Sequence, residues 1–139
     1  MTMFATFVPG TPTPQGSKRA FVVRGRAVVA ESAGQKLKTW RATIGATIDE
    51  QLPTGTEPVT DPVHIKLEFY IAAPKQAPAA HKWHRKRPDL DKLIRAVLDE
   101  LSGRLIVDDS QVASIIATKE LERSGRTGVR INLTPLKDL

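Results

Sequence analysis

The first half of the chain contains one segment whose apolar residues recur at helical spacing. From Gln35 to about Leu52 these residues lie three or four positions apart, which places them on one side of a helix. Pro53 and Gly55 follow directly and end a helix. The segment therefore predicts an amphipathic helix with one buried face. Its apolar residues are Leu37, Trp40, Ile44 and Ile48.

A second amphipathic helix is predicted from about Asp91 to Leu101. Its apolar residues again share one face, and Gly103 is placed to cap the C-terminus. The helix is about 15 Å long at 1.5 Å per residue. Its apolar residues are Leu93, Ile94, Val97, Leu98 and Leu101.

The remaining apolar stretches have the patterns of strands. Residues 63–74 alternate cleanly between apolar and polar side chains, which predicts a half-buried strand. Further strands are predicted in "MFATFVPG", in a hairpin "AFVVRGRAVVAES", in a short strand "RLIV", and in "QVASIIATKELE" and "GVRINLTPL", which the turn "RSGRT" joins. The predicted fold is α+β, a mixed β-sheet covered by two helices, in a single small domain over residues 1–139.

Composition narrows the class of protein. The chain has 139 residues, of which 40% are hydrophobic, and this suits one domain with a packed core. It contains no cysteine, which excludes disulfides, thiolate nucleophiles and zinc–sulfur sites. No apolar run approaches the roughly 20 residues of a bilayer-spanning helix, and "MTMFATFVPG" lacks the pattern of a signal peptide. We therefore expect a cytoplasmic protein without a membrane partner.

The net charge of +6 is concentrated in one part of the chain. Between Lys82 and Arg95 there are six Lys or Arg residues and two acids. Such clustering favours a polyanionic partner, chiefly nucleic acid, because bound cations release its counterions. Lys18 and Arg19 are either a second phosphate contact or a solvated turn. The candidate phosphate contacts of the main cluster are Lys82, Arg85, Lys86 and Arg87.

Two aspartates, Asp89 and Asp91, stand two positions apart at the start of the second predicted helix. Asp89 follows Pro88, which favours extended geometry, and side chains two apart in an extended segment point the same way. Capping or a first-turn position explains Asp91 alone. Capping does not explain Asp89, so the pair indicates two carboxylates that converge at a helix N-terminus.

A second acidic pair, Asp108 and Asp109, follows the helix and the short predicted strand. A tight return of the chain past Gly103 could bring this pair beside the first one. Carboxylates gathered at one point need a neutralising cation, and Mg²⁺ or Mn²⁺ is the usual one for oxygen ligands. The alternative is two unrelated acidic surface turns, since "DDS" is common turn chemistry.

A carboxylate–metal site beside phosphate-binding cations suits phosphodiester chemistry. The cations hold the nucleic-acid backbone, while the metal polarises the phosphoryl oxygen and supplies a hydroxide at neutral pH. Arg95 lies four residues after Asp91 on the same side of the helix. It either pairs with Asp91 or Asp99 or stabilises negative charge on the scissile phosphate.

Other residues of the basic loop allow two interpretations each. His81 and His84 are a general base or phosphate contacts, or they are solvated; Trp83 stacks on a base, or it pins the loop to the domain. The chain contains no P-loop, GxGxxG, Ser-His-Asp or HExxH spacing. Nucleotide hydrolysis and acyl transfer therefore have no support, and no nucleotide cofactor is expected.

Residues 87–112 resemble the RusA family of Holliday junction resolvases of bacteria and their phages. The resemblance lies in "RPDLDKLIRAVLDEL" followed by "DDSQV". The family pattern is an Arg or Lys, then Asp-x-Asp, a helix ending in a "LDAL"-like segment, and Asp-Asp-[Ser/Ala]-Gln-[Val/Ile]. The combined motif is specific, whereas Asp-x-Asp alone is weak. The order of the other predicted elements is compatible with a resemblance over the whole chain.

The resemblance implies a homodimer that binds four-way DNA junctions and makes paired, metal-dependent nicks. Its metal ligands fall on Asp89, Asp91 and Asp109, with Asp108 as a neighbour. The Arg85–Arg87 segment would position the DNA backbone without reading bases.

Two positions depart from the family pattern. The family's catalytic lysine falls on Arg95, which keeps the positive charge but does not donate a proton at neutral pH. Lys92 stands where the family often has Asn, and it adds a second cation that takes over part of the lysine's task.

The predicted function is a Mg²⁺-dependent (or Mn²⁺-dependent), structure-selective DNA endonuclease, encoded by a bacterium or a phage. It would resolve Holliday junctions by paired symmetric nicks in recombination and repair. One alternative is a non-catalytic basic module that binds junctions or other DNA, in which the acids are caps and turns. The other is a metal-dependent nuclease for flaps or other branched nucleic acid.

Overall fold

A computed structural model describes residues 2–16, 19–23, 26–30 and 34–137 of the chain. For residues 19–23 and 26–30 it describes the backbone. Lys18 and the side chain of Arg19, which are two predicted DNA contacts, lie outside the described residues. No helix in the described ranges is long and apolar enough to cross a membrane.

The strands of the described residues form one four-stranded sheet and one hairpin. They are β1 (Phe4–Pro9), β2 (Arg19–Val23), β3 (Arg26–Ala30), β4 (Val63–Ala72), β5 (Val112–Glu122) and β6 (Gly128–Pro135). β2 and β3 pair with each other as the predicted hairpin. The main sheet has the order β1-β6-β4-β5. β4 runs parallel to β5 and the other pairs are antiparallel, so the predicted mixed sheet is confirmed.

Two helices cover one face of this sheet, as the hydrophobic periodicity predicts. They are α1 (Gly34–Gln51) and α2 (Leu90–Leu101), each within one residue of its predicted limits. The alternation of β4 directs one set of its side chains into the core and the other set away from the helices. The fully buried set comprises Val63, Ile65, Leu67 and Phe69, which join Ile44 and Ile48 of α1 and Leu93 and Val97 of α2 in one core.

The position of α2 follows from the parallel pairing of β4 and β5. Parallel neighbours require a crossover connection, and here the crossover contains a loop, α2 and a turn. The chain therefore leaves the C-terminal end of β4 before it enters α2. After α2 it returns to the first residue of β5.

The short strand predicted in "RLIV" is wrong. The chain turns there, and the N–H of Gly103 donates to the C=O of Ile106 at 2.7 Å. Leu105 and Ile106 are buried in the core. These two residues are apolar because a turn packs them into the core. A short apolar run of this kind looks the same in the sequence as a short strand. Gly103 lies directly after the C-cap of α2 with φ +85°, a conformation that glycine tolerates best, so its predicted capping role is confirmed.

Candidate functional site

The first acidic pair lies at the N-terminus of α2. Asp89 is the N-cap residue, its backbone is extended (φ −71°, ψ 138°), and its side chain makes no capping hydrogen bond. Asp91 lies in the first turn, so of the two positions predicted for it the first turn is confirmed and the N-cap is wrong. Because the Asp89 carboxylate does not serve the helix, its oxygens remain available to a ligand.

Two cations of α2, Lys92 and Arg95, differ in their surroundings. The Nζ of Lys92 lies 3.8 Å from an Oδ of Asp89. Arg95 is exposed, and no ion pair is found for it within the described residues. Asp99, one of its two predicted structural partners, instead lies 3.8 Å from an Nη of Arg41. The predicted ion pair of Arg95 with Asp91 or Asp99 is thus not found in the part of the chain that the structure describes.

The second acidic pair divides into a capping residue and an exposed one. Asp108 is the N-cap of the 3₁₀ turn Asp109–Gln111, and its carboxylate accepts from the N–H of Ser110 at 2.9 Å. Hydrogen bonds from the hydroxyl and the backbone N–H of Ser110 hold the pKa of Asp108 below its ordinary value. The Asp109 side chain is exposed and has no hydrogen-bonding partner within the described residues.

Gln111 fixes this turn to the rest of the domain, a role that sequence analysis missed. Its Oε1 accepts from the N–H groups of Val107 (2.8 Å) and Asp108 (2.9 Å). Its Nε2 donates to the C=O groups of Val59 (2.7 Å) and Asp61 (3.0 Å). The Asp-x-x-Gln spacing of a capping box was the available signal in the sequence. Asp109 is therefore carried by an anchored turn, although its own side chain is exposed.

The basic segment is held along the outer edge of β5. The N–H of His84 donates to the C=O of Lys119 at 2.9 Å, and the N–H of Leu121 donates to the C=O of Lys82 at 2.8 Å. Burial, followed by the nearby charge of Lys119, lowers the pKa of His84 and favours its neutral form. His84 is thus partly buried and anchors the segment, rather than being solvated.

The cations and the tryptophan of this segment face solvent. Arg85, Lys86 and Arg87 are exposed, and no ion pair is found for them within the described residues. The Nζ of Lys82 lies 3.8 Å from Glu120 and 4.7 Å from the centre of the Trp83 ring. Since 51% of Trp83 is exposed, its ring does not pin the loop into the core.

Lys119 ties the end of the basic segment to β5, and sequence analysis missed it. Its Nζ donates to the C=O of Lys86 and to the C=O of Pro88, both at 2.8 Å. Lys119 pairs with Phe69 of β4 and therefore projects to the helix-covered face of the sheet. A lysine on the apolar side of an alternating strand was the signal in the sequence. The contact fixes the backbone immediately before Asp89.

The two acidic segments adjoin different parts of β5. Asp89 follows Pro88, which Lys119 holds in the second half of the strand, whereas Asp109 lies just before Val112, the first residue of the strand. Within the described residues, no three His, Cys, Asp or Glu side chains are arranged so that they could hold a metal ion. The carboxylates of Asp89, Asp91 and Asp109 have the oxygen chemistry that Mg²⁺ prefers. Their convergence on one cation stays a prediction.

Comparison with known proteins identifies the family. The model of the family described as Endodeoxyribonuclease RusA matches residues 9–132, which is most of the chain. The chain is also 25% identical over 134 residues to the uncharacterized protein YqaN of Bacillus subtilis (strain 168), covering 89% of this chain and 92% of that protein. The predicted family is confirmed, and the match extends well beyond the motif at residues 87–112.

Proposed function

Because the chain belongs to the RusA family of endodeoxyribonucleases, we propose that it is a divalent-cation-dependent nuclease that resolves four-way DNA junctions by paired symmetric nicks. We further propose that it works in the cytoplasm. The observation that carries the proposal is the position of Asp89 shortly after the exposed cations Arg85–Arg87. Its side chain makes no capping hydrogen bond, and Lys119 holds the C=O group of Pro88, the residue before it. Carboxylates suit a hard cation and the neighbouring positive charges suit a phosphodiester.

Asp89, Asp91 and Asp109 are the proposed ligands of the cation, Mg²⁺ or Mn²⁺. A divalent cation bound by such carboxylates polarises a phosphodiester and lowers the pKa of a bound water. Asp108 is better suited to a supporting role, because its carboxylate already accepts the hydrogen bonds of Ser110. It would fix the turn that carries Asp109.

Lys92 and Arg95 are the proposed stabilisers of charge at the scissile phosphate. They lie three positions apart on α2 and therefore on the same side of the helix. Lys92 is already close to the Asp89 carboxylate, at 3.8 Å. Arg95 would act through its positive charge and not through proton transfer, because a guanidinium is a poor proton donor.

The basic segment would bind the DNA backbone rather than read bases. The exposed Arg85, Lys86 and Arg87 lead directly to Asp89, and Lys82 begins the same segment. A second contact from Lys18 and Arg19 is supported by the position of Gln15, whose N–H donates to the C=O of Lys92 at 3.0 Å. Gln15, which precedes these two cations by three and four positions, thus contacts the first turn of α2. We propose a homodimer, because two symmetric cuts need two active sites.

Asp89→Asn tests the proposal. We expect this variant to bind a labelled four-way junction as tightly as the wild type, because one fewer carboxylate does not weaken phosphate contacts. We expect its cleavage in Mg²⁺ to fall by at least about 10³-fold, since a neutral amide is a poor ligand for a hard cation. The matched control is Asp99→Asn, which changes the other end of α2.

Two outcomes would redirect the assignment. Equal cleavage by Asp89→Asn and the wild type would leave a DNA-binding module in which the acids are caps and turns. A panel of junction, flap, linear duplex and RNA–DNA substrates then separates the nuclease classes. A wild-type protein that cuts linear duplex as fast as a four-way junction is not a junction resolvase.

A further inference from the structure

A cleft of about 300 Å³ adjoins the basic segment. It lies between the loop that follows β4, the side chain of Trp83 and the end of β5. Ligand sites in proteins commonly measure about 300–1,000 Å³, so a cleft of this size suits one planar ring system rather than a larger molecule. The apolar residues that line it are Pro74, Ala77, Pro78, Trp83 and Leu121.

Hydrogen bonds fix both walls of the cleft to β5. Trp83 forms an antiparallel bridge with Glu120, and the residues on either side of Trp83 are hydrogen-bonded to the backbone of the same strand. On the other wall, an Nη of Arg123 donates to the C=O of Pro78 at 2.8 Å. The fold therefore forms the cleft before a ligand binds, which lowers the cost of ordering the loop on binding.

The ring of Trp83 offers a free surface to this cleft. The residue is 51% exposed, and the Nζ of Lys82 lies over the ring at 4.7 Å from its centre. Trp83 lines the cleft whereas Lys82 does not, so the cleft adjoins a part of the ring that Lys82 leaves open. The other tryptophan, Trp40, is 2% exposed and packs in the core. A half-exposed indole in a fixed cleft is suited to stacking against a planar ligand.

The charges around the cleft favour a nucleic acid as its occupant. Residues 74–88 contain five Lys or Arg residues and no acid. Two of these cations, Arg85 and Lys86, line the cleft and are exposed. A purely apolar ligand gains nothing from such cations. A nucleotide, in contrast, has both a ring for the indole and a phosphate for the cations.

The cleft is connected to the proposed catalytic residues by a short, fixed stretch of chain. Asp89 follows Trp83 by six positions, and an extended chain of that length spans at most about 20 Å. The Nζ of Lys119 holds the C=O groups of Lys86 and Pro88 within this stretch. A base in the cleft would therefore lie near the same branch point as a phosphate beside Asp89.

We propose that the Trp83 cleft binds one unstacked nucleobase at the branch point of the DNA substrate, with the base lying against the indole ring. The inference rests on the proposed nuclease function and adds a means of selecting branched DNA. In a continuous duplex each base is stacked between its neighbours, and taking it out costs free energy. At a branch point the stack ends, so a base enters the cleft at a lower cost. Stacking uses the flat face that every base has, so it requires no particular base.

Binding measured in excess chelator tests the cleft separately from catalysis. A labelled four-way junction and a linear duplex of the same length are titrated with the wild type, Trp83→Leu and Trp83→Phe. We expect Trp83→Leu to bind the junction about tenfold more weakly, the usual effect of losing one base–aromatic stack, and the duplex almost unchanged. Trp83→Phe should keep most of the affinity, because phenylalanine also stacks. The control is Lys75→Ala in the same loop, which should weaken binding of both DNAs equally.

Abasic junctions test whether a base is the group that the cleft binds. Each nucleotide next to the branch point is replaced in turn by an abasic one, which removes the base and keeps the phosphate. We expect one such position to weaken wild-type binding as much as Trp83→Leu does. The same position should not weaken Trp83→Leu further, because both changes remove the same contact.

The cleft and the nuclease function fail in different ways. The cleft proposal is wrong if Trp83→Leu binds the junction as tightly as the wild type, if it loses junction and duplex affinity equally, or if no abasic position reproduces its effect. In each case, cleavage by the wild type and its loss in Asp89→Asn would leave the nuclease function standing. A wild-type protein that binds neither DNA would overturn both.

Discussion

Three individual side chains have distinct expected roles in the proposed site. They are those of Lys119, Asp108 and Asp109. Lys119 holds two carbonyl groups beside Asp89, one on each side of Arg87. This contact joins residues more than 30 positions apart. No local pattern in the sequence contains it, whereas Asp89 and Asp91 are found from their spacing alone. The sequence thus identifies the candidate ligands and an unusual lysine at position 119, but not the carbonyl groups that this lysine contacts.

Lys119→Met is expected to lower kcat for junction cleavage by about tenfold or more, with little change in KM. Hydrogen bonds to a charged group contribute about 1.5–3 kcal/mol each, and their loss releases the backbone before Asp89. Lys119→Arg should recover part of the rate, because the guanidinium also donates to carbonyl groups. Lys66→Met, on the other face of the sheet, is the control. A Lys119→Met enzyme with the rate and Tm of the control would show that the contact does not matter.

Asp108 and Asp109 are neighbours with different expected roles. Asp108→Asn should lower the Tm slightly and leave measurable cleavage, because a neutral amide accepts the Ser110 hydrogen bonds more weakly than a carboxylate does. Asp109→Asn should abolish cleavage and leave the Tm unchanged. The folded pKa of Asp108 is depressed, so its stabilisation is present above its ordinary pKa of 3.8 and is lost as the pH falls through the lower folded value. The Tm difference between wild type and Asp108→Asn should therefore vanish in strong acid; a difference that persists there would contradict the capping role.

The elements differ in how well the sequence predicts them. Hydrophobic periodicity gives both helices and the main strands, because burial of one face is a local pattern. It fails at "RLIV", where Leu105 and Ile106 are buried from a turn. Periodicity also does not predict strand order, because tertiary packing determines that β6 lies between β1 and β4. The order of the strands in the sheet could therefore not be predicted from the sequence.

Gln111 is expected to determine the stability of the turn that carries Asp109. Gln111→Ala removes four hydrogen bonds to the backbone of residues 59, 61, 107 and 108. At about 0.5–1.5 kcal/mol for each net hydrogen bond, we expect a loss of at least about 2 kcal/mol in the free energy of unfolding, measured in urea. Gln35→Ala is the control, since its side chain makes an exposed contact of 3.4 Å within α1. Equal effects of the two substitutions would mean that the turn is held by other contacts.

The whole molecule combines a sheet with one helix-covered face, a basic segment along one strand edge, and acidic residues at both ends of that strand. Membership of the RusA family connects this arrangement to DNA cleavage. The proposed dependence on a divalent cation requires that Asp89, Asp91 and Asp109 act together at one site.

The most direct test of this account is a Mg²⁺ titration of the wild-type protein on a four-way junction labelled in turn on each strand. We expect no cleavage without a divalent cation, and, as Mg²⁺ rises, paired nicks at symmetric positions in opposing strands while linear duplex of the same sequence stays intact. Cleavage that persists in excess chelator, or equal cutting of junction and linear duplex at every Mg²⁺ concentration, would contradict the assignment.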